Sequence, residues 1–162
     1  MELPQRKRTR LAGYSYSSPG YYFITVCVED MRLLLGRVVG GDLITPPRVA
    51  LTWAGRIVED AIRGADRVKD VRVDKYVVMP NHLHFILVVS PDASSGHTRN
   101  NELIPRWVSG LKRVCENKIG QDIFQRGYHD HIIRNDRQYR LIWYYIDGNP
   151  ARWKEDKFFR PM

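Results

Sequence analysis

A chain of 162 residues, 43% of them hydrophobic, with a mean hydropathy of -0.42, has enough apolar sequence for one domain with a real core. Its 26 Lys+Arg against 18 Asp+Glu give a formal charge of +8 and a pI near 9.7, which favours an acidic polymer as partner. There is no apolar run of roughly 18 residues and no lipidation signal, which argues against a membrane, and Cys27 and Cys115 are too far apart for a zinc knuckle or disulfide framework.

A basic N-terminal stretch with no apolar segment behind it points to a cytosolic protein with reduced core thiols. The expected organisation is a single domain over residues 1–162, with 1–20 as a basic arm. In that arm Arg6, Lys7, Arg8 and Arg10 precede Tyr14 and Tyr16, and cations beside aromatic rings suit a nucleic-acid backbone and its bases. A solvated tail is the plainer alternative. Residues 21–28, dense in aromatic and β-branched side chains, read as the first strand. Residues 33–43, broken by Gly36, Gly40 and Gly41, read as an irregular or short hairpin segment.

From 48 to 67, Ala50, Ala54, Ile57, Val58, Ala61, Ile62 and Ala65 recur at three- and four-residue intervals, which predicts an amphipathic helix entered through Pro46 and Pro47. Residues 71–78 and 82–89 are expected strands joined by a tight turn at Pro80-Asn81. Residues 90–101 form a polar loop whose His97 receives no role. A second helix is expected over 104–119, and its Lys112 and Arg113 are the pair expected to touch phosphate, a solvated charged face being the alternative. Residues 124–133 read as a short strand or extended loop. The last helix covers 137–148, with Tyr139, Ile142, Trp143 and Ile146 on its buried stripe and Pro150 marking its end. The order β-α-β-β-α-β-α is the ferredoxin-like, split βαβ arrangement: an α+β fold, its antiparallel sheet carrying helices mainly on one face and leaving the other for a ligand.

Chemistry concentrates in His82-Leu83-His84. Side chains of a strand alternate, so both imidazoles project from one face, pre-aligned for a divalent metal; two structural histidines are the alternative. The last helix offers a third ligand. Tyr145 and Asn149, four residues apart, share one flank, and the Asn149 amide oxygen suits a hard cation. Two imidazoles and one carbonyl oxygen leave positions open on Mg²⁺ or Mn²⁺ for phosphate oxygens. Tyr145, one turn away, is placed for phosphodiester chemistry, although Tyr128, Tyr139 and Tyr144 compete and spacing favours it only modestly. A second cluster, Tyr128-His129-Asp130-His131, offers a four-histidine zinc hydrolase site, but Asp130 would face away from both of its histidines.

Taken together, these residues resemble the single-tyrosine HUH transposases, in particular the REP-associated tyrosine transposase branch. The resemblance runs through Arg8-Thr9-Arg10-Leu11-Ala12-Gly13-Tyr14-Ser15-Tyr16, Pro19-Gly20-Tyr21-Tyr22-Phe23-Ile24-Thr25 and Met79-Pro80-Asn81-His82-Leu83-His84. It continues in Tyr128-His129-Asp130-His131-Ile132-Ile133-Arg134-Asn135 and ends in Tyr145-Ile146-Asp147-Gly148-Asn149-Pro150. It implies an HUH single-strand nuclease fold and a metal-dependent enzyme that nicks and joins single-stranded DNA at hairpins. Tyr145 would attack a phosphodiester to leave a 5′-phosphotyrosine and a free 3′-OH, with His82, His84 and Asn149 holding Mg²⁺ or Mn²⁺. His131 and Arg134 match family positions; Arg134 joins the residues expected to bind DNA, and His131 receives no chemical role. Dimers occur in the family, so a homodimer is compatible with the resemblance. The alternative of another class is a basic nucleic-acid-binding module that keeps the fold without cleavage.

Overall fold

The computed structural model describes residues 10–64, 68–93 and 102–162. Four strands build the main sheet: β1 (Gly20–Cys27), β4 (Val71–Val78), β5 (His82–Val89) and β6 (His129–Ile133). Their order is β4-β5-β1-β6, every neighbouring pair antiparallel, which is the split βαβ layout. Two further strands, β2 (Gly36–Val39) and β3 (Arg48–Leu51), form a separate two-stranded ribbon. The helices are α1 (Trp53–Arg63), α2 (Leu103–Ile119) and α3 (Asp136–Asp147).

Alternation along β5 decides what each face of the sheet holds. Leu83, Phe85, Leu87 and Val89 join Tyr22, Ile24 and Val26 of β1 in the main core, where Val58 and Ile62 of α1 and Ile104, Trp107 and Leu111 of α2 cover them. Trp107 lies 5.1 Å from Phe85, ring centre to ring centre. Each such side chain taken fully from water contributes roughly 1.5–3 kcal/mol, so this face anchors the fold. On the other face, Ile86 and Val88 meet Ile133 of β6 and Ile146 of α3, with Ile142, Trp143 and Tyr145 packed around them. Two helices therefore share one face, as the pattern implies, while α3 covers part of the face expected to stay open for a ligand.

The helix expected over 48–67 is corrected at its start. Residues 48–51 are β3, where Ala50 pairs with Arg37, and α1 begins only at Trp53. Thr52 supplies the cap: its side chain accepts from the Gly55 amide at 3.1 Å. Ala50 falls in step with the helical repeat by coincidence, and residues 65–67, the end of the expected helix, lie outside the described residues. Residues 33–43 do contain a hairpin strand, β2, and Gly40 and Gly41 end it at φ 78° and 91°. Of the basic arm, Arg6, Lys7 and Arg8 lie outside the described residues. Further along it, Tyr16 is buried, and its backbone amide donates to Glu102 at 2.9 Å.

Candidate active site

The turn between β4 and β5 is fastened on both sides. Met79 N–H donates to the His82 carbonyl, while the carbonyls of Asn81 and Pro80 accept from Val28 and Leu35, each at 2.9 Å. This fixes the start of β5, where His82 and His84 are fully buried on one face with ring centres 4.5 Å apart.

Neighbouring side chains determine which ring nitrogens stay bare. The Asn81 amide nitrogen donates to the carbonyls of Met31 and Phe158, at 3.2 and 2.8 Å, so its oxygen is the atom turned to His82 Nδ1, 2.9 Å away. His82 Nδ1 therefore carries the hydrogen and Nε2 a free lone pair. His84 Nδ1 lies 2.8 Å from Thr25 Oγ1, and its Nε2 is 3.4 Å from the Tyr145 hydroxyl. An imidazole fixed at Nδ1 by a neighbour presents Nε2 as a metal ligand. Burial pushes the His82 pKa down to about 4 despite the Asp156 carboxylate, and burial together with His82 holds His84 well below its ordinary value. Both rings are thus neutral ligands at neutral pH.

The end of α3 delivers the next two groups. Asn135 caps its start, accepting from Gln138 N–H at 2.9 Å. The last α-helical residue is Asp147, and Gly148 follows as the cap. Asn149 keeps helical angles (φ −60°, ψ −43°), so it stays one turn below Tyr145. Its side-chain nitrogen donates to Asp156 Oδ2 at 2.8 Å. Asp156 comes from the end of a 3-10 turn, Pro150–Glu155, that folds back over the histidines. One ligand atom each from His82, His84 and Asp156 lies within 4.8 Å of the others, and His82 Nε2 is 3.8 Å from Asp156 Oδ2.

The donor set fits a divalent cation on a specific observation: His82 Nε2 and Asn149 Oδ1 are both buried and have no hydrogen-bond partner among the described residues. Buried polar atoms are rarely left so, and a lone pair on each is what a cation requires. Two imidazole nitrogens with amide and carboxylate oxygens form a mixed set that suits Mn²⁺ and accommodates Mg²⁺. Phe158 and Trp153 wall the histidines, with ring centres 4.6 and 6.0 Å from His82. Burial, and then the Asp156 carboxylate, hold the Tyr145 phenol above its ordinary pKa.

The structure thus brings Tyr145, His82, His84 and Asn149 together, and adds Asp156. Nothing in the local sequence singles out Asp156, which sits within the charged quartet Lys154-Glu155-Asp156-Lys157. The expected DNA-binding residues are scattered. Arg10 is exposed with its guanidinium over the Tyr128 ring, and Arg134 is exposed just past β6. Lys112 donates to the carbonyls of Gln125 and Gly127, which makes it a strut for that loop, while Arg113 beside it is exposed. Both belong to α2, behind the sheet from the histidines. His129 and His131 are exposed on β6, and among the described residues no third ligand joins them, which leaves the zinc-hydrolase reading without a site.

No family model matches the chain. An uncharacterized protein of Haemophilus influenzae is 28% identical over 177 residues, spanning 97% of this chain and 94% of the relative. Among solved structures, a REP-associated tyrosine transposase bound to a REP hairpin superposes with a TM-score of 0.60 at 21% identity, over 88% of this chain and 73% of that one. The fold is that of the REP-associated tyrosine transposase. A crystal structure from Deinococcus radiodurans, described as a candidate transposase, gives a TM-score of 0.48 at 15% identity over 86% of this chain and 95% of that one, too loose a match to bear on function. No helix among the described residues is long and apolar enough to cross a membrane.

Proposed function

We propose that the protein is a metal-dependent single-stranded DNA nicking and joining enzyme, a transposase-like strand transferase acting at DNA hairpins through a 5′-phosphotyrosine intermediate. One observation carries the reading: His82, His84 and Asp156 converge with one ligand atom each within 4.8 Å, His82 Nε2 and Asn149 Oδ1 are buried without a partner, and the Tyr145 hydroxyl is 3.4 Å from His84 Nε2. His82, His84, Asn149 and Asp156 would hold Mg²⁺ or Mn²⁺. Such an ion, when bound, supplies positive charge that polarises the scissile phosphate and favours the phenolate of the tyrosine.

The remaining work belongs to the chain. Tyr145 is the nucleophile: its oxygen bonds to phosphorus, the bond to the 3′ oxygen breaks, and the 3′-OH leaves with a proton. The energy of the broken phosphodiester is kept in the tyrosine ester, so a second 3′-OH can reverse the step and join a new strand. Asn81 keeps His82 in the tautomer that frees Nε2, and Thr25 holds the His84 ring at Nδ1 so that its Nε2 points at the reaction. Hairpin DNA is the substrate class that accompanies this fold in the superposed transposase, and the net charge of +8 matches it. A cytosolic setting follows from that substrate.

The test uses hairpin DNA with single-stranded flanks, labelled at its 3′ end, incubated with protein and Mn²⁺ and run on a denaturing gel. The expected result is a labelled protein–DNA adduct that Tyr145→Phe abolishes. Binding without an adduct across a broad hairpin panel would leave only a nucleic-acid-binding module.

A further inference from the structure

The β2–β3 ribbon serves none of the chemistry above, yet it stands beside the segment that carries Asp156. Between them runs a groove of about 840 Å³, bounded by the ribbon on one side and residues 150–162 on the other. Its lining includes Arg37, Arg152, Lys154 and Arg160 against Asp42 and Glu155. Both acids are exposed like the four cations, but the Asp42 carboxylate is already engaged, accepting from the amides of Ile44 and Thr45 at 2.9 and 2.6 Å, and the cations outnumber the acids two to one. Aromatic surface accompanies the charge: Phe159, half-buried, packs edge-on against Trp153 at 5.2 Å, and Trp153 in turn lies against His82. One end of the groove thus reaches Pro150, next to Asn149.

Arg152 ties the groove to the nucleophile's helix. An ideal Cβ placed on Gly148 would come within 3.1 Å of the Arg152 guanidinium and 3.2 Å of the Tyr144 carbonyl. The missing side chain at Gly148 therefore gives Arg152 a seat across the last turn of α3, between Tyr145 and Asn149 in sequence.

We propose that this groove binds the single-stranded DNA flank of the hairpin substrate, with Arg37 and Arg160 on phosphates far from the cut and Arg152 on the phosphates nearest Tyr145. The proposal rests on the DNA-processing reading above and adds where the strand lies. Cations interleaved with rings are the pattern of single-strand sites, where phosphates meet the charge and bases stack on the aromatic faces. The volume agrees. It falls within the range of clefts that take one small ligand, about 300–1,000 Å³, room for a short extended strand.

The full chain carrying Tyr145→Phe, in metal-free buffer, is titrated with a fluorescent DNA hairpin that either ends blunt or carries a single-stranded flank, over a range of salt. The flank is expected to tighten binding roughly tenfold, and Arg37→Ala with Arg160→Ala to remove most of that gain while lowering the salt slope by about 1.4, at roughly 0.7 per single-strand phosphate contact. Binding of the blunt hairpin should not change, and far-ultraviolet circular dichroism should match the parent. A flank gain that survives both substitutions, or no flank gain at all, overturns the groove and leaves the DNA-processing reading standing. Failure to bind any hairpin overturns both. Flank-dependent binding that needs Arg37 and Arg160, when the protein with Tyr145 intact forms no adduct in Mn²⁺, keeps the groove and removes the enzyme.

Discussion

Asn149 donates its side-chain amide to Asp156 at 2.8 Å and keeps its oxygen buried without a partner beside the histidines. A carboxylate accepts only, so Asp156 fixes which way the amide points. The same carboxylate lies among the possible ligands, 3.8 Å from His82 Nε2. Asp156→Ala is therefore expected to weaken Mn²⁺ binding at least as much as loss of an outer-shell partner, roughly 10–100-fold. Isothermal titration with Mn²⁺ measures this directly, and an unchanged affinity would remove Asp156 from the site.

Asn81 is a separate lever, because it touches no cation itself. It bridges Met31 and Phe158 with its nitrogen and orients His82 with its oxygen. Asn81→Ala is expected to lower Mn²⁺ affinity by about 10-fold or more, and Thr25→Val should act likewise through His84. Equal affinity in both variants would mean that the rings hold their positions without these neighbours.

The histidine pair was legible because a period of two on an apolar strand allows one outcome: His82 and His84 on the same face. The relation of Tyr145 to Asn149 was legible for the matching reason on a helix, with a spacing of four. Asp156 was not. It reaches the site only after the chain has turned twice beyond α3, and no local period carries that information. Ala50 misled in the opposite way, since its spacing from Ala54 is helical while its cross-strand partner Arg37 draws it into β3. Which face α3 would cover also lay beyond local pattern, because its apolar stripe fits either side of the sheet.

The buried histidines make the metal-free protein sensitive to acid. His82 falls from an ordinary 6.5 to about 4 through burial, so the unfolded chain takes up protons that the native state refuses. Stability is complete above about pH 6.5 and is lost as pH falls toward 4, by roughly 3 kcal/mol from His82 once the native ring also titrates. Urea midpoints measured from pH 7.5 to 4 should fall accordingly, with a shallower fall in His82→Gln. Midpoints that stay level across that range would show that the rings are not neutral in the native state.

Gly55 tests how α1 is seated. A Cβ there would meet the Leu35 carbonyl oxygen at 1.9 Å, and that carbonyl already accepts from Thr52 N–H at 3.0 Å. Neither backbone segment can yield without parting the ribbon from the helix. Gly55→Ala is expected to destabilise the fold by about 3 kcal/mol or more, read as a lowered urea midpoint, whereas Gly120→Asn should cost little because open space surrounds that helix cap. A neutral Gly55→Ala would mean that α1 shifts freely against the ribbon.

Peptide mapping of the DNA adduct by mass spectrometry tests the site most directly. After reaction with a flanked hairpin and Mn²⁺, nuclease trimming should leave a nucleotide mass on the peptide that contains Tyr145, attached at that residue. No such mass should form in His82→Ala, His84→Ala or metal-free protein. A modification on Tyr139 or Tyr144 instead, or an adduct that forms without both histidines, would contradict the assignment of Tyr145 as the nucleophile of a metal-dependent site.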